Sequence, residues 1–225
     1  MPHIYASHKP PRYTEHITPL DAPHVIQKNL SILSALKLTP QPLELPLTPT
    51  ANAETNAAIQ SAGGARRYIV LNPGAAWPNK RWPAERFGAL AASLRDRLGL
   101  PSFITWGPSE RELADAVVRA SSGAATAAPA TSVSDLAVLM REAALVVSGD
   151  TGPLHIAAAM GTPLVGLYGP TWPERNGPWD PQDVVISRAN VCVCHHKRQC
   201  LRGSPCINEI TLDEVVLASE KRQAR

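Results

Sequence analysis

Short hydrophobic runs alternate with amphipathic segments over most of the chain. Runs rich in strand-forming residues predict buried strands at residues 68–71, 102–106, 124–128, 145–147, 163–168 and 184–186. Between them, apolar residues at helical spacing and capping signals predict helices at residues 83–98, 110–120, 136–143, 153–160 and from about 212 onwards. This alternation predicts an α/β fold with a parallel sheet that is covered by helices on both faces.

The first 58 residues follow a different pattern. Many of the 22 prolines lie before position 50, and residues 24–38 place hydrophobic side chains near the spacing of one amphipathic helix. Residues 51–61 could form a short helix or a linker. Because a lone helix cannot bury its own apolar face, this segment must pack against something else. We therefore predict a boundary between residues 1–58 and an α/β domain at residues 59–225.

The composition indicates a globular protein and excludes several classes. The chain has 225 residues, 44% of them hydrophobic, which suffices for a normal core. The formal net charge of +3, from 22 basic and 19 acidic side chains, is too balanced to suggest a nucleic-acid partner. No apolar run approaches membrane-spanning length, and the N-terminal residues lack the pattern of a signal peptide. We therefore expect a cytoplasmic protein with no transmembrane segment.

The stretch at residues 144–170 contains the most specific local chemistry. An apolar run there ends on Ser-Gly-Asp-Thr-Gly, and the helix-forming residues 153–160 follow directly. Asp150 or Thr151 is predicted to cap that helix. Ligands of open α/β sheets bind beyond the carboxyl ends of the strands, and the N–H groups at a helix start attract anions. This turn is therefore predicted to hold a phosphate. The plainer alternative is a simple helix cap, with His155 as an interior histidine.

The loop at residues 72–83 is a second candidate for phosphate binding. Gly74, Ala75 and Ala76 leave its backbone open to a ligand, and Lys80 supplies a cation. The loop has neither a Walker pattern nor a G-x-G-x-x-G fingerprint, and a surface loop with packed tryptophans is the alternative. Two phosphate-suited loops in one sheet favour the ligand interpretation more than either loop alone.

Two motifs resemble the donor-domain motifs of one enzyme family. DTGPLHIAAAMGTPLVGLYGPTWPERNGPW resembles the Asp-Ser/Thr-Gly-x-x-His…Pro…Gly-Pro-Thr signature of family 9 glycosyltransferases, the lipopolysaccharide heptosyltransferases. NPGAAWPNKRWPAERF is similar to their other motif, and the two occur in the family's order. In chain order, NPGAAWPNKRWPAERF is the first motif and the stretch that begins DTGPLH is the second. The resemblance covers residues 66 to the end. It implies a GT-B fold of two Rossmann-like domains, of which this chain would contain mainly the C-terminal, donor-binding one.

The resemblance also implies a function. Family members transfer heptose from ADP-heptose to the lipopolysaccharide inner core, with inversion and without a metal. The expected partners are therefore an ADP-heptose donor and a lipid A–Kdo acceptor at the inner face of the inner membrane. Alternatives are a transferase or epimerase that uses another nucleotide-sugar, and a non-catalytic remnant that binds a nucleotide or zinc.

Within and near the first motif, the resemblance assigns roles to individual residues. Lys80 would contact the diphosphate or sugar and stabilise the leaving group. The backbone at Ala75 and Ala76 would contact phosphate. Glu110 matches an acidic residue near the nucleoside ribose, and Thr131 falls where the adenine pocket is expected.

The second motif would supply the remaining contacts to the donor. By resemblance, Asp150 would hold sugar hydroxyls, and the diphosphate would be bound by Thr151, Gly152 and His155. Negative charge grows on the departing nucleoside diphosphate during transfer. Without a metal, Lys80 and a helix N-terminus must stabilise that charge.

The family's general base has no counterpart in this sequence. In the family it is an aspartate near the start of the N-terminal domain, and a complete first domain needs roughly a hundred more residues than the chain has. We therefore expect an N-terminally truncated member, with residues 1–58 as the remnant of the acceptor domain and the interdomain linker. Residues 59–225 would form the nucleotide-sugar binding domain, which we expect to bind the donor without completing catalysis alone.

All four cysteines lie in one short segment, as Cys192-x-Cys194-x5-Cys200-x5-Cys206. This clustering is unlike the disulfide framework of a secreted domain and indicates a reducing compartment. The spacing could place four soft ligands around a structural zinc, although it does not match paired C-x-x-C knuckles. Reduced structural thiols are the alternative that we place first. No cofactor is expected for the transfer itself.

Overall fold

A computed structural model describes residues 21–38, 45–195 and 197–224. These residues divide into two compact units. The smaller unit contains residues 21–38, Leu45 and residues 174–177, and the larger unit contains the rest. The larger unit carries the whole sheet and most of the described helices.

A six-stranded parallel sheet forms the centre of the larger unit. Its strands are β1 (Ile69–Asn72), β2 (Ser102–Ile104), β3 (Ala125–Ala127), β4 (Leu145–Gly149), β5 (Leu164–Tyr168) and β6 (Val184–Ser187). Their spatial order is β3-β2-β1-β4-β5-β6, and every neighbouring pair is parallel. This is the strand order of doubly wound dinucleotide-binding folds. The order reverses between β1 and β4, where such sheets bind their ligands.

Eight α-helices accompany these strands in the described part of the chain. They are α1 (Val25–Ser31), α2 (Ala53–Ser61), α3 (Ala84–Leu98), α4 (Arg111–Ala120), α5 (Val133–Arg141), α6 (Gly152–Ala159), α7 (Pro173–Asn176) and α8 (Leu212–Gln223). Short 3-10 turns lie at Ile32–Leu36, Pro78–Lys80, Ala189–Val191 and Cys206–Glu209. Both α5 and α8 begin with a capping box, in which the cap side chain and an acidic side chain satisfy each other's backbone N–H groups. No described helix has the length and hydrophobicity to span a bilayer.

Hydrophobic side chains cover both faces of the sheet. Successive residues of a strand point to opposite faces, so Ile69 and Leu71 pack with α3, α4 and α8, whereas Val70 and Phe103 pack with α2, α5 and α6. The sequence prediction of a parallel sheet covered on both faces is therefore confirmed. Because both cores are continuous, the carboxyl ends of β1 and β4 are held firmly in place.

Most predicted elements form, but several ends differ. The strand predicted at residues 102–106 ends at Ile104. The helix predicted from residue 136 already begins at Val133, because Ser132 is its cap. The helix predicted at residues 24–38 is α-helical only over α1 and continues as a tighter 3-10 turn to Leu36.

Residues 46–58 belong to the larger unit, although their composition groups them with the N-terminal segment. The N–H group of Asn52 donates to Asp135 Oδ1 at 2.7 Å, which ties the start of α2 to α5. Ile59 on α2 is buried against the sheet. Of the helix and linker alternatives at this position, the helix is therefore correct.

Part of the predicted N-terminal segment lies outside the described residues, namely residues 1–20 and 39–44. The assignment of residues 1–58 to an acceptor-domain remnant and linker stays a prediction. So does the assignment of residues 59–225 to a separate donor domain.

Gly88 lies where α3 packs closely on α4. A Cβ at this position would overlap both the Cβ and the backbone of Ala120. A glycine-to-alanine change inside an isolated helix stabilises it by about 1 kcal/mol. We nevertheless expect Gly88→Ala to lower the free energy of unfolding by roughly 1–3 kcal/mol, because the two helices must move apart. Denaturant unfolding measures this difference.

Gly203→Ala is the matched control for this prediction. No atom lies within 4 Å of a Cβ at Gly203, and its backbone does not require a glycine. We expect this variant to unfold like the wild type. Equal or greater stability of the Gly88→Ala protein would contradict the close packing of α3 on α4.

Candidate functional site

The two predicted phosphate loops leave the sheet side by side. Asn72 at the end of β1 pairs with Ser148 in β4. The loop after β1 contains the turn Pro78–Lys80, and the loop after β4 leads into α6. A Cβ at Gly149 would lie 3.0 Å from the carbonyl oxygen of Lys80, so the backbones of the two loops are in direct contact. They therefore meet at one rim of the sheet, as the sequence analysis expected.

An ion pair between Lys80 and Asp150 joins these loops. Lys80 Nζ lies 2.6 Å from Asp150 Oδ2 and 3.4 Å from the Asp150 carbonyl oxygen. The same ammonium lies 4.7 Å from the centroid of the Trp77 ring, within the range of a cation–π contact. The Lys80 side chain is only 15% exposed, and that of Asp150 is 5% exposed. Lys80 is therefore a positioned cation and not a loose surface lysine.

Asp150 is surrounded by groups that favour its charged form. Thr171 Oγ1 donates to Asp150 Oδ2 at 2.7 Å, and His155 Nε2 lies 3.6 Å from Oδ1. Burial raises the pKa of Asp150, but the interactions with His155, Lys80 and Thr171 outweigh it, so the pKa lies well below its ordinary value. Asp150 is therefore an ionised hydrogen-bond acceptor and a poor base. Sequence reasoning assigned no role to Thr171, although it belongs to the Gly-Pro-Thr part of the motif.

Thr151 departs from its predicted role as a helix cap. It occupies the N-cap position of α6, but its side chain makes no capping hydrogen bond, and Asp150 is not at the cap. Its hydroxyl donates to the carbonyl of Gly149 at 3.3 Å and accepts from Asn72 Nδ2 at 3.2 Å. The predicted N-cap position at Thr151 is therefore confirmed, but the side-chain hydrogen bond of a cap does not form, because these nearer partners engage the hydroxyl.

Buried Asn72 links three loops at the reversal point, and sequence reasoning missed it. Its Nδ2 group contacts Ser148 Oγ at 3.1 Å, Thr151 Oγ1 at 3.2 Å and the Gly74 carbonyl at 3.2 Å. Its Oδ1 accepts from Thr105 Oγ1 at 3.0 Å. The signal in the sequence is a polar amide at the end of an otherwise apolar strand.

A cavity of about 280 Å³ opens beside this network. The sequence-predicted residues that line it are Ala75, Ala76, Glu110 and Thr131. Asn72 and Pro153 also line it, and Asn72 contacts Thr151 directly. The predicted nucleoside and phosphate residues of the first motif are thus brought together in one cavity.

The remaining predicted residues lie next to this cavity and do not line it. Lys80, Asp150 and Thr151 form the contacts described above, and Gly152 is the first residue of α6. His155 lies one turn further along α6, and its side chain is 46% exposed. The interior-histidine alternative is therefore wrong.

Arg81 and Glu110 hold the loop after β1 in shape. Arg81 Nε donates to the Ala75 carbonyl at 2.8 Å, and its Nη2 lies 3.3 Å from Glu110 Oε1. Glu110 Oε2 accepts from the N–H of Gly107 at 3.0 Å. A Cβ at Gly74 would overlap the Glu110 carboxylate, so any larger residue there would displace that side chain from Arg81 and Gly107. Arg81 had no role in the sequence analysis.

The four cysteines come together in a cluster of their own. Cys192 Sγ lies 3.7 Å from Cys194 Sγ, which lies 3.4 Å from Cys200 Sγ, and Cys206 packs in the same cluster. Burial and the neighbouring thiols raise the pKa of Cys206 to about 12. All four are free thiols. In the described part of the chain, no group of three or more His, Cys, Asp and Glu side chains is arranged, as it stands, to hold a metal ion.

The strand order and the two loops at its reversal define a class of protein. They form a Rossmann-like α/β domain of the type found in GT-B glycosyltransferases. The solved glycosyltransferase family 9 structure from Veillonella parvula DSM 2008 superposes with a TM-score of 0.70 at 24% identity, over 88% of this chain and 60% of that one. E. coli heptosyltransferase WaaC with ADP gives a TM-score of 0.62 at 24% identity, over 88% and 56%. The predicted GT-B fold class is confirmed.

Sequence comparison identifies the family. The model of glycosyltransferase family 9 (heptosyltransferase) matches residues 8–204. Lipopolysaccharide heptosyltransferase 3 of Escherichia coli strain K12 is 26% identical over 215 residues, which are 92% of this chain and 61% of that protein. A second Escherichia coli protein of the same name is 30% identical over 214 residues, 92% and 62% of the two chains. The chain belongs to glycosyltransferase family 9, and it spans about three fifths of the length of these relatives.

The low pKa of Asp150 predicts a pH dependence of stability. An unfolded aspartate has a pKa near 3.9, and the folded group stays charged below that value. The ion pair therefore stabilises the fold fully above about pH 5, and its contribution is lost as the pH falls through the folded pKa. We expect the free energy of unfolding of Asp150→Asn to differ most from wild type near neutral pH, with the difference shrinking below about pH 4. Urea unfolding at several pH values measures it.

Asp115→Asn provides the control, because Asp115 forms only an exposed pair with Arg111. We expect this variant to track the wild type at every pH. A difference between wild type and Asp150→Asn that stays constant from pH 7 to about pH 3 would contradict the depressed pKa of Asp150.

Proposed function

We propose that the larger unit binds ADP-heptose, and that the protein serves heptose transfer to the lipopolysaccharide inner core at the cytoplasmic face of the inner membrane. The observation that carries this proposal is the Lys80–Asp150 pair, at the strand-order reversal and beside the 280 Å³ cavity. Membership of family 9 and the names of the lipopolysaccharide heptosyltransferase relatives support the donor and the acceptor class.

The diphosphate of the donor would be bound between Lys80 and the start of α6. The N-terminal end of a helix carries partial positive charge, and Lys80 adds a full charge that is already positioned. Thr151, Gly152 and His155 would contact the phosphates from the α6 side. As the sugar leaves, these groups would stabilise the charge that develops on the nucleoside diphosphate. No metal is needed for this step in the proposal.

Asp150 would orient the sugar. Its carboxylate is ionised and accepts hydrogen bonds, which suits contacts to sugar hydroxyls. Its Oδ2 already receives Lys80 and Thr171, whereas its Oδ1 lies toward His155.

The nucleoside would occupy the cavity beside these residues. The backbone at Ala75 and Ala76 would approach the phosphates, Glu110 the ribose and Thr131 the base. Arg81 holds the Ala75 carbonyl and Glu110 together, so this part of the loop is shaped before a ligand arrives. A preformed loop reduces the ordering cost of binding.

The two carboxylates of the described site, Asp150 and Glu110, are poorly suited to act as the general base. Asp150 has a pKa too low to accept a proton efficiently near neutral pH. Glu110 is engaged by Arg81 and by the N–H of Gly107. We therefore propose that the base for a lipid A–Kdo acceptor lies outside the site described here, in the part of the family's length that this chain does not span.

Replacement of Lys80 tests the donor site. We expect Lys80→Ala to weaken ADP binding by about 1.5–3 kcal/mol, or roughly 10- to 150-fold in Kd, which is the scale of a lost charged hydrogen bond. Isothermal titration calorimetry with ADP and ADP-heptose measures the change. Lys221→Ala, at an exposed position near the end of α8, is the control and should bind like the wild type.

Unchanged ADP affinity of Lys80→Ala would remove Lys80 from the site. Tighter binding of a UDP-sugar than of ADP-heptose would show that the protein uses another nucleotide-sugar. The first result is read from the titrations above, and a parallel titration of the wild type with a UDP-sugar gives the second.

A transfer assay tests the absence of a base. We expect the 225-residue chain to bind ADP-heptose but to release no ADP in the presence of a lipid A–Kdo acceptor. ADP release coupled to a colour reaction measures this, with a full-length family 9 enzyme as the positive control. Acceptor-dependent turnover by the chain alone would show that a base is present within it.

A further inference from the structure

The segment between β6 and α8 is organised around its thiols. It contains only short 3-10 turns, at Ala189–Val191 and Cys206–Glu209. Between Cys192 and Cys206 the aliphatic side chains Val193 and Leu201 are exposed, whereas Cys192, Cys194 and Cys206 are buried with Cys200 packed against them. This cluster is separate from the hydrophobic cores on the two faces of the sheet, which the segment joins only further on, through Ile207 and Ile210. The stretch from Cys192 to Cys206 is therefore packed around sulfur atoms.

The spacing of the sulfur atoms is close to that of the ligands of one metal ion. A tetrahedral metal ion with metal–sulfur bonds of about 2.3 Å places its ligands about 3.8 Å from one another. The Sγ separations of 3.7 Å for Cys192–Cys194 and 3.4 Å for Cys194–Cys200 are close to this value. A disulfide would need about 2.05 Å. The thiols of Cys192, Cys194 and Cys200 are in contact as a chain, and Cys206 packs in the same cluster, so the four would have to draw together to surround one ion.

The charge around the cluster suits a metal thiolate centre. Four thiolates and one divalent ion carry a net charge of −2. Lys197 and Arg198 lie on the same segment with exposed side chains and supply positive charge, whereas Arg202 pairs with Glu209. No acidic residue lies between Cys192 and Cys206. These cations would offset part of the negative charge of a metal–thiolate centre.

We propose that Cys192, Cys194, Cys200 and Cys206 together bind one divalent, thiolate-preferring metal ion, Zn²⁺ or Fe²⁺, in a closed structural site. Four thiols lose four protons as four metal–sulfur bonds form, and no oxidant or reductant takes part. Soft sulfur ligands in tetrahedral geometry select these metals. The metal itself would take no part in the proposed transfer chemistry.

The metal would also hold the segment against the Lys80 loop. Asn79, which precedes Lys80, donates from Nδ2 to the Lys197 carbonyl at 2.8 Å. Ile207 packs closely on Gly169: a Cβ at Gly169 would lie only 3.0 Å from the Cβ of Ile207. Loss of the metal would therefore weaken the packing of this segment against the Lys80 turn and leave the sheet intact.

Metal analysis of the whole chain tests the proposal. The protein is purified under reducing conditions without chelator, and zinc and iron are measured by mass spectrometry. We expect about one ion of either metal per chain, and a roughly fivefold or greater loss in Cys192→Ser and Cys206→Ser. Val193→Ser introduces the same side chain at an exposed position between two of the cysteines and should keep the metal.

Cobalt titration covers the case in which a cysteine variant fails to fold. Wild-type protein stripped of metal should take up one Co²⁺ with thiolate charge-transfer absorption and the strong visible bands of tetrahedral coordination. The bound ion should protect all four thiols from a thiol reagent. Wild type that contains no zinc or iron and gives no such spectrum would overturn the proposal, as would two disulfides in the native protein.

Discussion

The architecture of the site depends on the ion pair between Lys80 and Asp150. The pair spans the point where the strand order reverses and joins two loops that are 70 residues apart in sequence. Asp150 is almost fully buried, so its charge is tolerated only because Lys80, Thr171 and His155 compensate for lost hydration. Removal of Lys80 would leave a buried carboxylate unbalanced. The pair thus fixes both the position and the charge of the groups that a donor diphosphate would meet.

The sheet makes this pairing geometrically feasible. β1 and β4 are central strands, and hydrophobic cores on both faces hold them in register. Asn72 then connects the two strand ends by bonding Ser148 and Thr151. Arg81 and Glu110 brace the outer part of the loop after β1. Hydrophobic burial therefore fixes the strands, and the polar contacts at the rim set the positions of the loops that follow them.

The sequence was sufficient for the sheet, its helices and the two loops, because hydrophobic periodicity and capping signals act over short distances. The motif resemblance also led to Lys80 and Asp150. It did not reveal that they pair with each other, nor that Thr171 and Asn72 support them, because these contacts join residues distant in sequence. The missing side-chain cap at Thr151 has the same cause, because its hydroxyl bonds to Asn72, which is distant in sequence. The cysteine spacing left metal and free thiols open, because spacing does not determine which sulfur atoms meet.

Gly149 determines how closely the Lys80 turn approaches the end of β4. A Cβ at this position would lie 3.0 Å from the Lys80 carbonyl oxygen, so a larger residue would push the turn outward by a few tenths of an ångström. That shift would lengthen the distance from the Lys80 ammonium to the Asp150 carboxylate. A substitution at Gly149 would thus weaken the ion pair without replacing either of its side chains.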